Sequence, residues 1–153
     1  KRVFTEIKCG PEILPALKAA LAESMLQFGQ TIVISFDANV IDETKRLLPQ
    51  LKALWLTDFK TDKKTGVRPS AKEILQMLEK TGADGVDCHS HSVIDQQFMQ
   101  TFRTAQKEVH IWTVDDVPMA KRYLQLGADS ITSNRAGWLK QQLRSETDQN
   151  KEA

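Results

Sequence analysis

The sequence predicts an α/β fold built on a parallel sheet. Runs of strand length alternate with runs of apolar residues at helical spacing, six times along the chain, with no hairpin signal between consecutive strands. The connections are short, so each strand is expected to feed a crossover helix and return parallel to its neighbour. Polar residues gather near the C-terminal ends of the strands, at Lys8, Ser35, Asp37, Asp58, Asp87, Thr113 and Asn134. That edge is where open parallel sheets and parallel barrels both build their sites.

The elements follow in order. Val3–Lys8 reads as a strand with Phe4, Glu6 and Lys8 on one face and Val3, Thr5 and Ile7 on the other. Cys9-Gly10-Pro11 breaks it, and Ile13, Leu14, Leu17, Leu21 and Leu26 predict a helix from Pro11 to about Phe28, stopped by Gly29. Thr31–Phe36 is the second strand, and a helix from about Ile41 to Leu48 ends at Pro49. Ala53–Leu56 is the third, followed by a polar stretch to Pro69 and a helix from Ala71 to Lys80. Strand Gly85–Cys88 leads to a helix over Ile94–Gln106, and strand Val109–Val114 to a helix over Val117–Leu126 that Gly127 terminates. Ser130–Ser133 and a helix from Gly137 to Leu143 complete the pattern. Residues 1–144 form one domain on this reading, and 145–153 a polar, apolar-poor tail.

Two architectures satisfy this order, an open doubly wound sheet and an arc of a (β/α)₈ barrel. No Gly-rich phosphate loop follows the first strand, which weighs against a dinucleotide fold. The chain has 153 residues, and its 21 Lys+Arg against 20 Asp+Glu leave a net charge of +1. That balance gives no basic field for nucleic acid. No apolar run reaches the roughly 20 residues of a membrane span. Two cysteines, Cys9 and Cys88, make no disulfide framework. They leave the compartment open between cytoplasmic and periplasmic or secreted.

Glu6-Ile7-Lys8 is the most informative segment. Two residues apart on a strand, its charges share a face about 6.6 Å apart. Near the mouth of a barrel, the carboxylate is a hard oxygen ligand suited to Mg²⁺ or Ca²⁺, and the ammonium a point charge suited to a phosphate oxygen. A structural salt bridge is the plainer reading of the same triplet.

The later motifs weigh on that choice. Ala83-Asp84-Gly85-Val86-Asp87 is followed by Trp112-Thr113-Val114-Asp115, then by Gly127-Ala128-Asp129-Ser130-Ile131 and Thr132-Ser133-Asn134-Arg135. In that order and spacing, with Glu6-Ile7-Lys8 and Ile32–Asp37 before them, they resemble the C-terminal portion of the glycerophosphodiester phosphodiesterase family. The resemblance runs from Val3 to Leu143. It departs mildly at Ser130, where Gly is usual, and at Ser133-Asn134-Arg135-Ala136, where Thr-Asp-Arg-Pro is common.

The resemblance implies a (β/α)₈ barrel of which this chain forms strands three to eight, the N-terminal units lying before Lys1. It implies metal-dependent hydrolysis of glycerophosphodiesters to glycerol 3-phosphate and an alcohol. Glu6 matches a metal ligand, Lys8 a catalytic and phosphate-binding residue, and Trp112 a substrate-lining aromatic. The family's His-Arg-Gly and Glu-x-Asp motifs have no counterpart among the 153 residues. The segment alone is therefore expected to be inactive. A related phospholipase-type enzyme and a non-catalytic partial-barrel binding module are the alternatives. Exposed barrel edges are expected to drive self-association.

Other residues have plainer expectations. Asp37, Asp115 and Asp116 are placed to cap helices. Trp55 and Trp138 are expected to pack in the core or between helices. Cys88-His89-Ser90-His91 is spaced too closely to close one zinc site, and His89 or His91 could stand at the substrate edge. The stretch Thr57–Pro69, with Lys60, Lys63, Lys64 and Arg68, reads as a solvated loop or a cationic lid.

Overall fold

Strict strand–helix alternation becomes a curved, all-parallel sheet with helices on its outer face. The structure, a computed structural model, describes residues 2–64 and 66–149. The sheet strands are β1 (Val3–Glu6), β2 (Thr31–Ser35), β3 (Lys52–Thr57), β6 (Gly85–His89), β7 (Glu108–Trp112) and β8 (Ser130–Ile131). They lie in chain order, and every pair is parallel. The helices are α1 (Leu14–Glu23), α2 (Ala38–Leu47), α3 (Ala71–Thr81), α4 (Gln96–Thr104), α5 (Val117–Leu126) and α6 (Ala136–Gln149).

Alternation along the strands sorts residues to two faces. Val33, Ala53, Val86, Val109 and Ile111 turn outward and join the helix-facing core with Val40, Ile41, Ile74, Leu78, Phe98, Phe102 and Tyr123. Ile32, Leu54 and Leu56 are equally buried but belong to the inner, concave face. Lower on that face, toward the strand N-termini, Lys52 pairs with Glu108. Glu108 meets His110 Nε2 at 3.0 Å, and His110 Nδ1 lies 2.7 Å from Ser130 Oγ. Burial pushes the His110 imidazole below its ordinary value against the opposing pull of Glu108, so the ring is neutral at pH 7.

Helix ends are set by the residues the sequence offers. Asp37, Ser70, Asp95 and Asp116 each accept a backbone N–H of the first turn, and Ser70 with Glu73 completes a capping box. Gly82 and Gly127 close α3 and α5 at φ 64° and 89°, which a side chain would disfavour.

Each of these glycines opens a Gly-Ala-Asp sequence that ties two strands together. In the first, Asp84 Oδ2 accepts the Ala53 N–H at 2.8 Å, and the Asp84 N–H donates to the Ala53 carbonyl at 2.9 Å. In the second, Asp129 Oδ2 accepts the Val109 N–H at 2.8 Å, and its own N–H donates to the Val109 carbonyl at 2.9 Å. Lys45 Nζ also reaches Asp84 at 2.9 Å.

Several sequence expectations are corrected. The stretch after β3 contains a hairpin, β4 (Lys60–Asp62) paired antiparallel with β5 (Gly66–Arg68). Its turn signal is the glycine at 66, with φ 77°. Phe59 is buried against His91 and Phe98, anchoring the segment rather than leaving it solvated. Helix α1 ends at Glu23 instead of near Phe28, because Ser24 turns extended and its Oγ donates back to the Leu21 carbonyl. Helix α6 runs past residue 144 to Gln149, where a tail was expected; residues 150–153 lie outside the described residues. Trp138 is outside the core, with the Arg135 guanidinium 3.7 Å from its ring centroid. Asp115 does not cap α5; its carboxylate instead takes Ser133 Oγ, the Asn134 N–H and Asn134 Nδ2 at 2.8, 2.8 and 2.9 Å.

Removing either strand-tying carboxylate strands a buried N–H at the start of a strand. Asp84→Ala and Asp129→Ala are each expected to lower stability by about 1–3 kcal/mol. Urea unfolding of the two variants checks this, with Asp84→Ala the larger loss because the ion pair with Lys45 is removed as well.

Candidate active site

The concave face ends in a pocket at the C-terminal mouth of the strands, with a volume of about 340 Å³. Its ionisable groups are Glu6 at the end of β1, Lys8 just beyond it and Asp87 from the middle of β6. Phe4, Ile34, Phe36, Leu56 and Trp112 supply apolar walls, and Thr113 and Thr132 stand at the rim. The expected face of the first strand is the observed one: Phe4, Glu6 and Lys8 look into the pocket, while Ile7 is buried in the helix-facing core.

Glu6 and Lys8 form an ion pair at 3.2 Å, with side chains 33% and 79% exposed. At that exposure the pair contributes little to stability. Trp112 is fixed by its indole N–H, which donates to the Asp87 carbonyl at 3.1 Å. Phe36 and His89 meet its ring edge-on at centroid distances of 5.9 and 4.9 Å. The three residues singled out from the sequence, Glu6, Lys8 and Trp112, thus line one pocket.

Other candidates are dispersed. Ser35 is buried and donates to the Ile7 carbonyl at 2.8 Å, tying β2 to β1. Asp37 caps α2. In the Cys88-His89-Ser90-His91 run, Cys88 is buried with its thiol directed to the His110 carbonyl, and burial pushes that thiol's pKa up. His91 Nδ1 accepts the Val93 N–H, while His89 sits at the rim with Nδ1 3.5 Å from Asp58. Arg68 pairs with Glu73 and, with Lys60, borders a separate outer hollow beside Trp55.

Asp87 is the pocket residue that sequence reasoning left without a role. It is 2% exposed. Burial first, and the nearby Glu6 charge second, push its carboxyl up to about 7. The signal was a lone carboxylate inside the strand Gly85–His89, where a residue flanked by two core positions must face the concave side.

A parallel sheet whose six strands lie in chain order, with the helices on its outer face, is an arc of a (β/α)₈ barrel. The glycerophosphoryl diester phosphodiesterase family profile matches residues 4–137, and the chain belongs to that family. Glycerophosphodiester phosphodiesterase GDPD4 of Arabidopsis thaliana is 29% identical over 140 residues, covering 88% of this chain and 39% of that protein. Among solved structures, a putative glycerophosphoryl diester phosphodiesterase from Silicibacter pomeroyi matches with a TM-score of 0.78 and 17% identity, over 95% of this chain and 51% of its own. A phosphodiesterase from Oleispira antarctica, solved with its product sn-glycerol-3-phosphate, matches at 0.71 and 18%, over 88% and 50%. The chain therefore spans about half the length of these structures and less of the curated relative.

The Asp87 shift gives a signed pH dependence. A carboxyl raised from 3.8 unfolded to about 7 folded binds more protons in the native state between those values, so stability falls as pH rises through that window. Asp87→Asn removes the burial cost of the charge. In cation-free buffer the variant is expected to exceed the native chain by a few kcal/mol at pH 8, with the gap shrinking toward pH 4. Urea melts across that range measure it, and a pH-independent gap contradicts the assignment.

Proposed function

We propose that the full-length protein hydrolyses glycerophosphodiesters to glycerol 3-phosphate and an alcohol with a divalent cation, and that this chain supplies part of the site. The observation that carries the reading is the Glu6–Lys8 pair, side by side at the barrel mouth with Trp112 across the same pocket. The donor set is consistent with a hard cation: Glu6 offers an accessible carboxylate, suited to Mg²⁺ or Ca²⁺. No group of three or more His, Cys, Asp or Glu converges on an ion among the described residues. On this reading Glu6 is one ligand, and the others come from beyond this segment or from water. When bound, the cation would polarise a phosphoryl oxygen.

This chain's own residues bind and orient. The Lys8 ammonium, largely exposed, has room to turn from Glu6 to a phosphate oxygen and offset charge that builds there. Trp112, pinned through its indole N–H, presents a fixed apolar wall to the substrate's carbon skeleton.

On this reading the histidines that move protons lie outside this segment. No histidine lines the pocket among the described residues, and His110 is locked between Ser130 and Glu108 on the concave face. The segment alone is accordingly expected to be inactive. β1 and β8 each pair with one neighbour among the described residues, and Phe4 is 37% exposed beside the open side. The 153-residue chain on its own is expected to self-associate through those edges. Light scattering that returns a cooperatively melting monomer contradicts this.

In the full-length protein, Glu6→Ala is expected to abolish cation-dependent hydrolysis of glycerophosphocholine, and Lys8→Ala to lower kcat/KM by about a hundredfold or more. Unchanged activity and cation affinity in Glu6→Ala overturn its assignment. Parallel assays on glycerophosphoethanolamine and intact phospholipids separate this activity from a phospholipase of the same barrel type.

A further inference from the structure

Among the described residues, the buried wall of the mouth pocket holds one polar side chain left unsatisfied. Asp87 is 2% exposed, and its Oδ1 has no hydrogen-bond partner among the described residues. Buried polar atoms nearly always have one, because an unmade hydrogen bond forfeits the full cost of removing the group from water. Its backbone is fully engaged, in register with Leu56 and His110, and its carbonyl takes the Trp112 indole. The carboxyl therefore cannot relieve itself by moving along the strand. The ionic group acting on it is Glu6, and Lys8 already pairs with Glu6. The other buried side chain lining the pocket, Leu56, is aliphatic and offers nothing to bond.

We propose that Asp87 is a specificity-determining residue that receives a hydroxyl of the polyol end of a phosphoester, whose phosphate lies toward Lys8. This rests on the phosphoester reading of the Glu6–Lys8 pair. A hydroxyl both donates and accepts, so it meets the carboxyl in either protonation state. An alkyl chain in the same place leaves Oδ1 unpaired, and sites built to bond a hydroxyl reject analogues that lack it. The apolar walls accept the carbon skeleton, and the buried Asp87 carboxyl distinguishes a hydroxylated chain from a plain one.

The test compares sn-glycerol 3-phosphate with n-propyl phosphate, which keeps the phosphate and three carbons but has no hydroxyl. Calorimetric titration of the full-length protein at pH 7 is expected to show about tenfold or greater preference for glycerol 3-phosphate. Asp87→Ala and Asp87→Leu should reduce that preference to about twofold or less, while Asp87→Asn, which keeps a donor and an acceptor, retains part of it. Leu fills the site without an unpaired polar atom, so one apolar variant remains informative if Ala fails to fold. A folded Ala or Leu variant that keeps the native ratio overturns the proposal, as does a native protein that binds both phosphates equally. Binding of neither ligand overturns the phosphoester pocket itself, and this assignment with it.

Discussion

Register in a parallel sheet is the constraint on which the rest of this molecule depends, and two aspartates hold it. Parallel strands have no tight turn to fix their alignment, and a slip of one residue exchanges their faces. Asp84 and Asp129 each grip one residue of the preceding strand twice, by backbone and by carboxylate. The Asp84 bonds align β3 with β6 so that Leu56 stands beside Asp87. Those of Asp129 align β7 with β8 and set His110 beside Ser130. Were either register to slip, Asp87 or Ser130 would turn toward the helices, and the concave face would lose a polar residue.

The concave face then grades in polarity along its depth. Lys52, Glu108, His110 and Ser130 satisfy one another toward the strand N-termini, and Ile32, Leu54 and Leu56 form an apolar belt. Glu6 and Lys8 reach the mouth, where solvent reaches the pair. This half-buried network is closed by its own hydrogen bonds, so its polar groups have little left to offer a ligand. The mouth carries charge and exposure together, and Asp87 adds an unpaired acceptor just beneath it.

Much of this was legible in the sequence because it follows from periodicity. Six alternations gave six βα units, and the two-residue spacing of Glu6 and Lys8 put both on the concave face. What escaped depends on contacts between distant segments. Asp115 reads as a cap beside Asp116, but Ser133 and Asn134 sit within its reach and outcompete the helix end. The β4–β5 hairpin is only three residues per strand and lies in a charged stretch, so no alternation of apolar residues announces it. Trp138 follows a core-like spacing, yet its neighbour Arg135 holds it at the surface through the ring face. Asp87 was visible as a carboxylate in a strand; its solitude depends on what β1, β3 and β7 bring around it.

The open sides of β1 and β8 have a practical consequence. Each pairs with a single neighbour among the described residues, so each presents a row of backbone donors and acceptors in the geometry of a parallel ladder. On the proposed reading, a chain of this kind would accept strands supplied in trans. Fused to one of two interacting proteins, with separately expressed N-terminal βα units fused to the other, it would form a split reporter. Its readout would be restoration of a complete barrel.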